Sequence, residues 1–154
     1  MLKNEHANIH SNWQFREEVD MHSFLVVSND NAVCSFIKRS LNEDYIVYTA
    51  KTPEEALQIL LKIEIDVTFL DIFLNDDGAD KLLEELRQIN IDPTVVTIIP
   101  GSQPILLEEA FRIGAYELLG KPLKKEAIQH IAKKALEKQE LKRELVFIQS
   151  QIII

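Results

Sequence analysis

The chain has 154 residues, 46% apolar and 27% charged, which suits one domain with a core that needs no covalent staples. Its 25 acidic against 17 basic side chains leave a formal charge of −8, which argues against gripping a nucleic-acid backbone, since that takes a clustered basic surface. One cysteine, Cys34, argues against an internal disulfide and a cysteine-rich metal site, and nothing reads as a membrane span or secretory leader, so a cytoplasmic protein is expected.

Residues 1–22 are polar and aperiodic and read as a flexible N-terminal arm carrying His6, His10, Trp13 and Phe15. His6 and His10 have the spacing of a helical metal pair, but no acid or cysteine completes a set. Residues 24–27 predict the first strand. Asn29 or Asp30 then caps a helix to about Leu41, with Val33, Phe36, Ile37 and Leu41 on one face and Cys34 near it. Residues 45–48 predict a second strand. Thr52-Pro53-Glu54-Glu55 is a capping box with proline at the first helical position, opening a helix through Lys62.

Val67-Thr68-Phe69-Leu70-Asp71 is a short apolar run that ends in a carboxylate, as in a strand buried on both faces. After the turn cluster Asn75-Asp76-Asp77-Gly78, helix is predicted over 79–89 and strand over 94–99, broken by Pro100-Gly101. Helix follows over 104–113 to Gly114, then a short strand over 116–119 and a last helix from near Lys124. Five strand–helix units predict an α/β, flavodoxin-like, doubly wound parallel sheet of order 2-1-3-4-5, with helices on both faces and an extended C-terminal helix. The expected organisation is an arm over 1–22, a domain over 23–136 and a helical, coiled-coil extension over 137–154.

Chemistry in such sheets gathers beyond the carboxyl ends of the strands. There the sequence places Ser28 and Asn29, Asp71, Ile99 and Lys121 before Pro122. Asp71 reads equally well as an acceptor or metal ligand and as a loop cap. Asp71 facing Lys121 is either a salt bridge or, with a divalent ion, a site able to take up a phosphoryl group. Asp76 and Asp77 read as a solvated turn before an improvised cation site. The loop Ser28-Asn29-Asp30-Asn31 lacks the hydroxyls of a flavin phosphate loop, which leaves a flavin carrier a poor reading.

In order and spacing, Asp71, Gly78, Gly114-Ala115-Tyr116 and Lys121-Pro122 resemble the receiver domains of two-component response regulators, over about residues 23–136. The resemblance implies that Asp71 is the phospho-acceptor, that Lys121 contacts the phosphoryl group and that the Lys121–Pro122 peptide is cis. It implies a signalling module, not an enzyme, whose partner is a sensor histidine kinase or another signalling protein.

The departures from the family are grouped. Where two acids hold Mg²⁺, this chain has Ser28 and Asn29, so the metal set Asp71, Asn29 and Ser28 implies weak or absent Mg²⁺. Asp30 follows but belongs to the helix cap. The switch positions, a hydroxyl and an aromatic in the family, are Ile99 and Leu118, with Tyr116 two residues earlier as a possible substitute. The pattern is that of a degenerate receiver acting by protein–protein contact. The alternative is a conventional phospho-accepting receiver of a transcription activator whose output domain is absent from this chain. Beyond the domain, Leu141, Leu145, Ile148 and Ile152 follow the 4-3-4 spacing of a coiled-coil seam, from which a homodimer is expected.

Overall fold

A computed structural model describes residues 21–152 apart from 75–77, 102, 103 and 113, with only the backbone described at 104–107. The readings of His6 and His10, of the arm up to residue 20 and of Asp76 and Asp77 therefore lie outside the described residues. The elements are β1 (Ser23–Val27), α1 (Asn31–Leu41), β2 (Ile46–Ala50), α2 (Pro53–Lys62), β3 (Val67–Asp71), α3 (Gly78–Gln88), β4 (Thr94–Pro100), α4 (Pro104–Arg112), β5 (Glu117–Lys121) and α5 (Lys125–Ile152). All strands pair in parallel in the order 2-1-3-4-5. This is the flavodoxin-like, doubly wound arrangement.

Local chemistry explains most boundaries. Asp30 caps α1, its Oδ1 accepting from Ala32 N at 2.9 Å. Thr52 accepts from Glu55 N at 3.1 Å, while Glu55 reaches back to Lys51 N at 2.7 Å, one residue before the cap. The second and fifth strands both depart from expectation, each starting one residue later and ending two later. The second begins at Ile46 because Tyr45 N is held by Leu41 O in the turn that ends α1. At the end of α3, Asn90 takes φ +63°, and Ile91 N returns to Leu86 O, so an asparagine supplies the left-handed stop usually left to glycine.

Central strands are buried on both faces, and alternate residues feed two cores. Phe24, Val26, Phe69 and Ile98 pack under α1 and α5 with Ile37, Ile128 and Ala135. Leu25, Val27, Leu70 and Val95 pack under α2 and α3 with Ala56, Leu82 and Leu86. A third, small cluster joins Ile72, Ile99 and Ala110 of α4 at the carboxyl edge.

At the opposite, amino edge, α5 outruns the core and is clasped by polar contacts. Asp66, just before β3, is buried and accepts from Ser23 N at 2.8 Å and from Arg143 on α5. His22 lies between Asp66, at 3.5 Å, and Glu140 of α5, at 3.4 Å. Lys142 donates to the Asp92 carbonyl at 3.0 Å, and Thr94 donates to the Gln139 side chain at 2.6 Å. The extension is thereby tied to the starts of β1, β3 and β4. Removing Asp66 leaves the Ser23 amide buried without its acceptor, so Asp66→Ala is expected to cost about 1–3 kcal/mol of stability. Arg143→Ala, at a more exposed partner, is expected to cost about 1 kcal/mol or less. Urea unfolding midpoints of the two variants measure the difference.

Candidate functional site

The carboxyl edge brings together Ser28 after β1, Asp71 at the end of β3, Ile99 in β4 and Lys121 at the end of β5. Asp71 is only 4% exposed. Its Oδ2 accepts from the Ser28 hydroxyl at 2.8 Å, and its Oδ1 accepts from Phe73 N at 3.1 Å. Ser28 is itself buried and fixed: its amide donates to Ala50 O at 3.0 Å, and its Oγ accepts from Asp30 N at 3.1 Å. A hydroxyl therefore satisfies the carboxylate at the place where a cation would approach it.

Lys121 stands at the same edge, registered beside Pro100, and its peptide to Pro122 is cis. Among the described residues no ion pair joins Lys121 to Asp71, so the pairing expected of them as a salt bridge is not made. The physical reason is that Asp71 already has a hydroxyl and an amide on its two oxygens, while Lys121 keeps partial access to water.

The switch positions form an apolar plug. Ile99 is 2% exposed and packs with Ile72 and Ala110, and Leu118 lies partly buried against them. Tyr116 does not substitute for Leu118. It belongs to the core under α5, where the Lys138 ammonium sits 5.9 Å from its ring centroid. The two-residue spacing failed as a guide because Tyr116 precedes β5, so strand alternation does not reach it.

The donors available to Mg²⁺ at this edge are one carboxylate, one hydroxyl and one carboxamide, from Asp71, Ser28 and Asn29. Mg²⁺ favours charged oxygens in octahedral array, so this set fits it poorly. Among the described residues no three His, Cys, Asp or Glu side chains gather into a metal cluster.

The model of the response regulator receiver domain matches residues 24–133. The chain belongs to that family. Receiver domains as a class hold Mg²⁺ beside their acceptor aspartate and meet histidine kinases. The sensory transduction protein LytT of Bacillus anthracis is 30% identical over 99 residues, 64% of this chain and 39% of that protein. A putative NtrX-like response regulator of Rickettsia felis is 28% identical over 132 residues, 84% of this chain and 28% of its own length. The crystal structure of NtrX from Brucella abortus superposes with a TM-score of 0.74 at 29% identity, over 84% of this chain and 29% of that one. This receiver thus spans between about a quarter and two fifths of the curated relatives just named.

One functional-looking group proves structural. Cys34 is buried, and its thiol donates to the Ser28 carbonyl at 3.4 Å. Burial pushes this thiol up, with the Ser28 hydrogen bond and Lys51 offsetting only part of the effect. A raised thiol carries little thiolate at neutral pH, and thiolate is the reactive form. Iodoacetamide is expected to label Cys34 in the folded chain at pH 7.5 slower by roughly an order of magnitude than in urea, with the rate rising at higher pH. Mass spectrometry over time reads both.

Proposed function

We propose that this receiver is degenerate: Asp71 accepts a phosphoryl group poorly, Mg²⁺ binds weakly, and the module works by holding one surface for a protein partner. The Ser28–Asp71 hydrogen bond, 2.8 Å long at a buried carboxylate, carries the reading. A hydrogen bond to a charged group contributes about 1.5–3 kcal/mol, and Asp71 must lose it for Oδ2 to face an incoming cation or phosphorus. Ile99 supports the same conclusion from the response side. Its buried side chain has no hydroxyl to follow a phosphoryl group inward, and the apolar cluster around it favours a single packing. Lys121 is retained as the cation over the edge. The partner is a histidine kinase or another signalling protein, with no catalytic turnover by the chain and no direct grip on nucleic acid.

A second reading is favoured by Asp71 and Lys121, which end β3 and β5 at the same sheet edge. It is a conventional phospho-accepting receiver of a transcription activator longer than this chain. Acetyl phosphate with Mg²⁺, followed by intact-mass analysis, separates the two. Slow, incomplete labelling that disappears in Asp71→Asn is expected; rapid and complete labelling favours the conventional receiver, and labelling that survives Asp71→Asn removes the acceptor assignment. Ser28→Asp with Asn29→Asp restores two carboxylates and is expected to speed labelling. The same variant loses stability without metal, because three carboxylates then crowd one edge.

We further propose a homodimer through α5. Leu141, Leu145, Ile148 and Ile152 are all exposed, on the stripe opposite Gln139, Lys142 and Arg143, which hold the domain. Each leucine or isoleucine buried contributes roughly 1.5–3 kcal/mol, so four per chain offset an association cost of roughly 4–15 kcal/mol. Light scattering at micromolar concentration is expected to find a dimer for the natural chain and a monomer for Leu145→Glu with Ile148→Glu. A variant that stays dimeric places the interface elsewhere.

A further inference from the structure

The amino-edge clasp holds a histidine ring whose charge state its neighbours select. His22 stands just before β1 and presents a different nitrogen to each of two carboxylates. Its Nδ1 lies 3.5 Å from Asp66 Oδ2, ahead of β3, and its Nε2 lies 3.4 Å from Glu140 Oε2 on α5. A neutral imidazole carries one N–H and one lone pair, so either tautomer turns a lone pair toward one of these carboxylates. The imidazolium has an N–H on both nitrogens and meets both carboxylates with a donor.

The surrounding charges favour the same form. Glu64 and Asp66 precede β3, and both are paired with Arg143 of α5. A neutral His22 therefore leaves Glu140 without a cation from this cluster. From β2 comes the Ile46 amide, which carries no charge and donates to the His22 carbonyl at 3.0 Å. Asp66 is buried, where its field is screened less than at the surface. The His22 side chain is 35% exposed, so the ring exchanges protons with water. When the ring is neutral, its one proton belongs on Nδ1, because the buried Asp66 has no water to turn to. Glu140, 59% exposed, then faces the lone pair and swings out to solvent.

We propose that His22 is a proton-operated latch between the domain and the α5 extension. Histidine changes charge between roughly pH 5 and 8. Charged, the ring ties Asp66 to Glu140 and joins the starts of β1 and β3 to α5 in one row. Neutral, it lets Glu140 go, and the extension is held by Gln139, Lys142 and Arg143. The contribution is therefore present at low pH and lost as pH rises. The latch lies at the edge opposite Asp71 and stands whether or not Asp71 is phosphorylated or the seam pairs.

Amide hydrogen exchange across α5 residues 137–146 of the full chain, followed by mass spectrometry, reads local opening of this segment. At about pH 6 and about pH 8 the natural chain is compared with His22→Gln, so the intrinsic pH dependence of exchange cancels in the ratio. The natural chain is expected to be several-fold better protected than the variant at the lower pH and about equally protected at the higher. Glu140→Gln, at an exposed position, offers His22 a donor and an acceptor and so suits either form of the ring. It is expected to flatten the pH dependence while circular dichroism shows the fold intact. His130→Gln, at another exposed position on α5, is expected to leave the response unchanged. A natural-to-variant ratio that is the same at both pH values overturns the proposal, as does better protection at the higher pH. So does a response that survives Glu140→Gln or disappears in His130→Gln.

Discussion

A parallel strand covered on both faces leaves charged side chains only its two ends, and β3 is flanked by Asp66 just before it and ends in Asp71. Asp66 and Asp71 are both buried, and both are satisfied from the neighbouring strand β1, by Ser23 at the amino edge and Ser28 at the carboxyl edge. Burying a carboxylate without donors costs several kcal/mol, so these two serines set what each edge can do. The amino-edge pair anchors the long helix through Arg143 and His22. The carboxyl-edge pair occupies Oδ2 of Asp71.

That arrangement separates architecture from chemistry within one fold. The family's edge is built around mutual repulsion of acids that a cation relieves. Here the repulsion is gone, because a hydroxyl and a carboxamide replace the acids and the hydroxyl donates to the remaining carboxylate. The same substitution extends to the neighbouring strands, where Ile99 and Leu118 exchange hydrogen-bonding and rotating side chains for packed apolar ones. On the reading we propose, these replacements are consistent parts of one static surface. On the extension, the clasp is spent on the domain, whereas the seam of Leu141, Leu145, Ile148 and Ile152 is exposed.

The sequence by itself determined the fold, because apolar runs, caps and glycine stops are local signals that agree with one another. Asp30, Thr52 with Pro53, and Gly114 each acted where their chemistry predicts, and the order of five strand–helix units left one sheet topology. It also put Asp71 and Lys121 at one edge, since a strand-end position is a matter of counting. Tertiary structure alone decided the partners. Ser28 and Asp71 are 43 residues apart, and only the register of β1 against β3 turns a missing metal acid into a hydrogen-bond donor. The absence of an Asp71–Lys121 ion pair and the membership of Tyr116 in the core under α5 likewise depend on which side chain arrives first in space. So does the clasp at Asp66: the heptad spacing shows that α5 continues, but not that His22, Asp66 and Arg143, distant along the chain, converge to hold it. Local propensity propagates along the backbone, whereas these contacts are set by packing across it.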